Sequence, residues 1–430
     1  MADQTVAALF TQSIAREDLR VASVDRRVLR RLAGRLAELA ARPCEAEKRD
    51  LWYRHNALEP TRPVIFCDPE NGWNEIIPDG RLECHGELAR GWEMTLRKEL
   101  FWAESMGDDR VVDPVFEVRH VYRESDWGMH ERVFKVARHG SYRWDPPLTD
   151  LSQLCHLHAP RISVDAACSD DVAGLADDTF GDLLDVRRKT LWWWTLGMTW
   201  TLINLRGLEQ AMIDMYDHPQ ELHQLMGILR DGHLAKLDYL EAHGLLSLNN
   251  DNTYVGSGGF GFTRELPQEG FNGRVRTRDM WGFCESQETV QVSPGMFEEF
   301  VFPYQAPIME RFGLNCYGCC EPLEKRWHVV KRFPRLRRVS VSPWADAEKM
   351  AEYLGAKYIY SYKPSPAELA RPSIDEDRIR QGLRRVMDTA RGCRLEVIMK
   401  DNHTIGNNPE NVTRWCRIAR EEAERAEARP

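Results

Sequence analysis

"RDMWGFCESQETVQVSPGMFEEFVFPYQAPIMERFGLNCYGCC", residues 278–320, carries the pattern that decides the fold. A short apolar run, WGFC, gives way to the polar residues Glu285, Ser286, Gln287 and Glu288. Ser293 and Pro294 then open a long amphipathic stretch that ends in a second short apolar run. A serine N-cap satisfies the free N–H groups of a first helical turn, and proline there sacrifices no bond. The stretch therefore reads as strand, helix, strand, the unit from which parallel sheets are built.

The unit recurs in both directions. Candidate strands are PVIFC (63–67), LWWWTLG (191–197), LLSLNN (245–250), RDMWGFCE (278–285), LNCYGCC (314–320), RRVSVSP (337–343), KYIYSYK (357–363) and RLEVIMK (394–400). NPENVTRWCRIAREEAE (408–424) repeats the helix-opening device with Asn408 and Pro409. Eight such units predict an α/β fold, a (β/α)₈ TIM barrel over residues 61–430. Residues 1–60 form an N-terminal helical extension, in which Val28, Leu29, Leu32, Leu36 and Leu39 share one face and the arginines are solvated. The polar, aromatic stretch at about 68–185 exceeds one crossover and reads as an insertion over a barrel mouth. The charged tail AREEAERAEARP (419–430) reads as a fraying, solvated helix end.

With 430 residues, 43% of them hydrophobic, a large core is within reach. A net charge of -9 argues against nucleic acid as a partner. No run of 18 apolar residues occurs, which excludes a membrane span from the expectation. The N-terminus has no basic, apolar and small-residue succession, so the expected location is cytoplasmic. Eleven scattered cysteines fit reduced thiols rather than a disulfide framework.

Barrel chemistry sits at the carboxyl ends of the strands. Those ends here carry Asn249, Asn250 and Asp251; Glu285 to Glu288; Cys316 to Glu321; Ser342 and Trp344; Ser361 to Lys363; and Lys400 to His403. The thiols stand out. Side chains alternate along a strand, so Cys316 and Cys320 face one way and Cys319 the other. Two thiolates and an imidazole suit zinc with one position open. His403, after the last strand, is the expected third ligand, Asp401 orients it or binds directly, and Cys319 is the reserve. The stretch DNHTIG (401–406) also matches the D-x-H-x-x-G pattern of cobalamin-binding modules. Only 24 residues follow Gly406, too few for such a module, which frees His403 for the metal.

Taken together, these residues resemble the uroporphyrinogen decarboxylase-like superfamily, and within it the zinc-dependent corrinoid methyltransferases. The resemblance spans roughly residues 191–423, through MTWTLINLRGLEQAM (198–212), YGCCEPLEKRW (317–327), VSVSPWAD (339–346), YIYSYKPSP (358–366) and NPENV (408–412). It implies a barrel with zinc held by a His-x-Cys pair after the fifth strand and a cysteine after the eighth. The pair falls on Gly318 and Cys320 and the last position on His403, so Cys316 stands in for the missing histidine. It further implies methyl transfer between a small-molecule donor and cobalamin carried by a separate corrinoid protein, and a homodimer is a candidate assembly. Glu285, Glu288 or Glu321 then fill the open zinc position or handle protons, as a Lewis acid offsets charge gained by the leaving atom.

Fourteen tryptophans point toward a methoxylated aromatic donor. Trp73, Trp92, Trp102, Tyr122, Trp127, Tyr142 and Trp144 of the insertion are expected to roof its pocket. Lys363 and Ser361 bind a ring carboxylate or phenolate, and Asn250, Asp251, Gln287 and Trp344 complete the substrate site. The alternatives are a methyl-cobalamin:thiol methyltransferase, a corrinoid-binding module, and a decarboxylase. The decarboxylases grip porphyrinogen with an arginine-rich segment, where residues 54–76 are acidic here.

Overall fold

The computed structural model describes residues 18–130, 132–135 and 142–428, with backbone alone for 132–135 and 142. The reading of residues 1–17 as lacking a targeting segment, and the side chain of Tyr142, lie outside the described residues. The strands are β1 (Val64–Cys67), β2 (Val115–Val118), β3 (Val121–Glu124), β4 (Arg132–Lys135), β5 (Tyr142–Asp145), β6 (Ile162–Asp165), β7 (Asp185–Arg188), β8 (Trp281–Cys284), β9 (Leu314–Tyr317), β10 (Leu336–Val341), β11 (Ile359–Tyr362) and β12 (Arg394–Met399). Six of them form one sheet in the order β1-β12-β11-β10-β9-β8, every pair parallel. β1, β8 and β9 are buried at every position, as sheets covered on both faces require. The helix after β8 begins as expected, Ser293 accepting from Met296 N, and breaks into Pro294–Phe300 and Phe302–Met309.

Two expected strands do not form ladders, and the hydrogen-bonded sheet does not close among the described residues. Residues 191–197 reach β8 through Leu196 N to Phe283 O, 3.0 Å. Residues 245–250 reach it through a side chain, with Asn249 accepting from Trp281 N at 2.8 Å and donating to Trp281 O at 3.0 Å. The physical reason is the stretch TYVGSGGFGFT, residues 253–263, which follows at once. Its glycines leave no room for a Cβ: one on Gly256 would lie 2.8 Å from Cys316 Cβ, and one on Gly258 2.5 Å from Ile398 Cγ2. Gly259 lies against Arg338 and Glu396. Side chains of β9, β10 and β12 thus converge on four consecutive residues, although neighbouring strands lie ~5 Å apart. The sheet curls around this stretch.

Among the described residues four hydrophobic clusters result, two of them large. The larger one packs the sheet and its helices. The second joins helix Ser23–Ala40 to helices Glu87–Phe101 and Ala166–Phe180 and to β2 and β3. The N-terminal helix and the inserted stretch therefore share one core. Val28, Leu29, Leu32, Leu36 and Leu39 are buried there as read from their spacing. The arginines on the other face pair with acids of the insertion, Arg30 with Asp182 at 2.7 Å and Arg31 with Glu83 at 2.7 Å.

Two expectations are corrected. The C-terminal tail is the end of helix Glu410–Glu427, and it packs through Ala419, Glu422 and Ala423, Glu422 being held by Arg380 and Arg384. The described aromatics of the insertion are spread rather than gathered into one roof, although Trp73 and Trp102 stay at the end of β1, bonded to Asp68 Oδ1 and Cys67 O, each at 3.3 Å. Trp92 lies between Phe116 and Phe180, Tyr122 against Trp192, Trp73 against Trp102, and Trp127 against His233. Trp144 donates to Ile203 O. Among the described residues no helix is long and apolar enough to cross a membrane.

Candidate functional site

Polar groups gather where β1, β9 and β12 end. Cys319 is 3% exposed, and its Sγ lies 3.1 Å from Ser257 Oγ, 3.7 Å from Cys320 Sγ and 4.0 Å from Lys400 Nζ. Cys320 is exposed and stands 3.7 Å from Asp401 Oδ2, while Asp401 Oδ1 pairs with Lys400 at 3.2 Å. The hydrogen bond from Cys320 and the Lys400 ammonium draw the Cys319 thiol below its ordinary value. Cys320, as the donor to that sulfur, is pushed up. Burial opposes the charge of Lys400, but Tyr254, Cys319, Asp401 and Glu70 outweigh it and hold the lysine charged. Trp194 faces the same ammonium, 6.0 Å from Nζ to ring centre.

Carboxyls line one side. Glu285 is fully buried, takes a bond from Gln287 N at 2.9 Å and leaves Oε1 without a partner. Burial, with Glu288 and Glu321 beside it, raises it well above the ordinary carboxylate value and so favours its protonated form. Glu321 has a different job. It accepts from Ser286 N at 2.8 Å and Cys319 N at 2.9 Å, tying the end of β8 to the thiol loop. Glu70, just after β1, sits at φ 47° and is pushed up to about 7 by burial.

Other expected site residues are distributed differently. Ser361 and Lys363 lie buried on the inner face of the sheet, Ser361 bonded to Glu396 and Lys363 to Ser361. Asn250 donates to Leu266 O at 2.7 Å and braces its own loop. Asp251 is paired with Lys189 and lines a cavity of about 390 Å³ with Tyr53, Arg110 and Arg187, none of which touches the thiols. Gln287 contributes its backbone N–H to Glu285. Trp344 is 75% exposed.

The proposed zinc ligands are not brought together. Cys316 is buried with its Sγ 3.7 Å from Arg338 Nη1, and His403 is exposed. Among the described residues no three His, Cys, Asp or Glu side chains converge on a point that would hold a metal ion. Cys319, Cys320 and Asp401 come nearest, yet the Lys400 ammonium already supplies the positive charge between them. This donor set does not fit zinc as it stands, because a structural or catalytic zinc takes three or four converging ligands.

Ser257, Glu70 and Lys400 had no assigned role in the sequence reading. The signal for Ser257 was its setting among four close glycines, which marks backbone pressed against other groups. Lys400 follows β12 directly and reaches Cys319, and Glu70, three residues after β1, lies near Lys400 and Asp401; these meetings join segments far apart in the chain and leave no local signal.

The class defined so far is a mixed α/β protein with a parallel sheet and a polar thiol site at the strands' carboxyl ends. No family model matches the chain, and no curated protein does. Among solved structures, a methyltransferase from Methanosarcina mazei superposes with a TM-score of 0.50 at 13% sequence identity, over 87% of this chain and 97% of that one. That likeness establishes a shared fold.

Proposed function

We propose that the chain is a methyltransferase that moves a methyl group from a methoxylated aromatic to the cob(I)alamin of a separate corrinoid protein. On this reading the two unladdered segments complete an eight-stranded barrel around the glycine-rich stretch. The carrying observation is the fully buried Glu285, with Oε1 unpartnered and its protonated form favoured, in one cluster with Cys319 and the Lys400 cation beside that thiol. The fold shared with a methyltransferase supports the same reading.

Bound cob(I)alamin supplies the nucleophile. As the methyl group departs, the electron pair of its bond to oxygen stays on that oxygen. Lys400 offsets the growing negative charge, and Glu285 hands its proton to the oxygen, so that a phenol leaves. Trp194 gives the ring an apolar wall beside the ammonium. Zinc enters this scheme only if residues 401–406 turn His403 toward the thiols, and metal analysis of the purified chain tests that.

Demethylation of a methoxyarene in the presence of a corrinoid protein is the deciding assay. Glu285→Gln should lower kcat about 100-fold with KM little changed, as expected for a lost general acid. Activity confined to thiol acceptors would move the reading to a methyl-cobalamin:thiol methyltransferase. Demethylation in the absence of any corrinoid would overturn it.

A further inference from the structure

Lys363 is 4% exposed, yet among the described residues no carboxylate forms an ion pair with it. Its Nζ donates to Ser361 O, 3.1 Å, and to Ser361 Oγ, which uses two of its three protons. Ser361 passes a bond on to Glu396 Oε1. That carboxylate is already matched by Arg338 at 2.9 and 3.2 Å and accepts from His55 Nε2 at 3.1 Å. Burial keeps His55 neutral. The cluster of Arg338, Glu396, His55 and Lys363 therefore holds one positive charge in excess, and buried charge is costly without a counter-ion.

A second observation lies on the neighbouring strand. Ser342 is 1% exposed and its Oγ has no hydrogen-bond partner. Parallel pairing sets Val341 opposite Tyr362, and Lys363 N donates to Val341 O at 2.9 Å, so Ser342 comes level with Lys363 at the carboxyl ends of β10 and β11. Side chains level in a parallel pair share a face. The register thus brings a free ammonium proton and an unpartnered hydroxyl to the same level of neighbouring strands, donors that would complement one carboxylate. Lys400 is already countered by Asp401 and is not the excess cation.

We propose that Lys363 and Ser342 form a carboxylate-binding subsite, and that the methyl donor is accordingly an aromatic acid. The identity of the donor rests on the methyl-transfer reading; the binding of carboxylate does not. Calorimetric titration of the full chain with benzoate, 4-methoxybenzoate and 4-methoxybenzamide tests it. Both carboxylates should bind, and the amide at least about ten-fold more weakly. Lys363→Met should lower carboxylate affinity at least about ten-fold and melt no lower than the wild type, and Ser342→Ala should lower it about three-fold. Equal binding of acid and amide, unchanged affinity in folded Lys363→Met, or no carboxylate binding at all would each overturn the subsite. Carboxylate binding with no methyl transfer would overturn the proposed function and leave the subsite standing.

Discussion

Glu70 and Lys363 sit at opposite ends of one electrostatic problem, since burial raises the first to about 7 and lowers the second to about 8. For Glu70 the folded chain holds the proton more tightly than the unfolded one. Its contribution to stability is full below about 4.5 and is lost as pH rises through about 7. The shift corresponds to about 3 kcal/mol, which partial exposure reduces to about 1–2. Urea unfolding of Glu70→Gln between pH 4 and 8 should accordingly show a flatter stability profile than the wild type. For Lys363, Glu396 and Cys319 favour the cation while Lys400 and Arg338 oppose it. Benzoate affinity should be level below pH 7 and fall about ten-fold per unit above pH 8, as the cation is lost. A profile unchanged by Lys363→Met would place the titration elsewhere.

At the scale of the element, the stretch 253–263 decides more than any strand. Gly258 has φ 108°, and a Cβ there would meet Ile398 at 2.5 Å. Gly258→Ala should cost about 2–4 kcal/mol through strain and overpacking together. Gly382 is the counter-example, inside helix Glu376–Thr389 with nothing near its Cβ position. Gly382→Ala should raise stability by about 0.5–1 kcal/mol. Thermal melts of the two variants check both signs.

Two large hydrophobic clusters dominate the described residues, and the N-terminal helix supplies much of the smaller of these two. Leu36 is completely buried there, so Leu36→Ala should destabilise by about 2–5 kcal/mol. Arg30→Ala removes an exposed ion pair with Asp182 and should cost no more than about 1 kcal/mol. Calorimetry of the two variants tests whether the helix is held by packing or by charge. A larger loss for Arg30→Ala would reverse that assignment.

Periodicity and capping in the sequence determined the α/β class, the six parallel strands, the N-terminal helix and the polar loops from which the site is built. These are local properties: apolar runs, Ser-Pro starts and spaced leucines act through neighbours along the chain. What happens to residues 191–197 and 245–250 was decided by tertiary structure, because the sheet is wrapped around glycines that leave a carboxamide, Asn249, to satisfy the edge of β8. The thiols divide in the same way. Cys316 and Cys320 share a face by alternation, but Gly318 at φ 89° ends the extended run. Cys319 is turned toward Ser257 and Lys400, and Cys316 stays deeper, beside Arg338. Alternation holds only while the backbone stays extended, and which charges meet around a thiol depends on loops far apart in the chain.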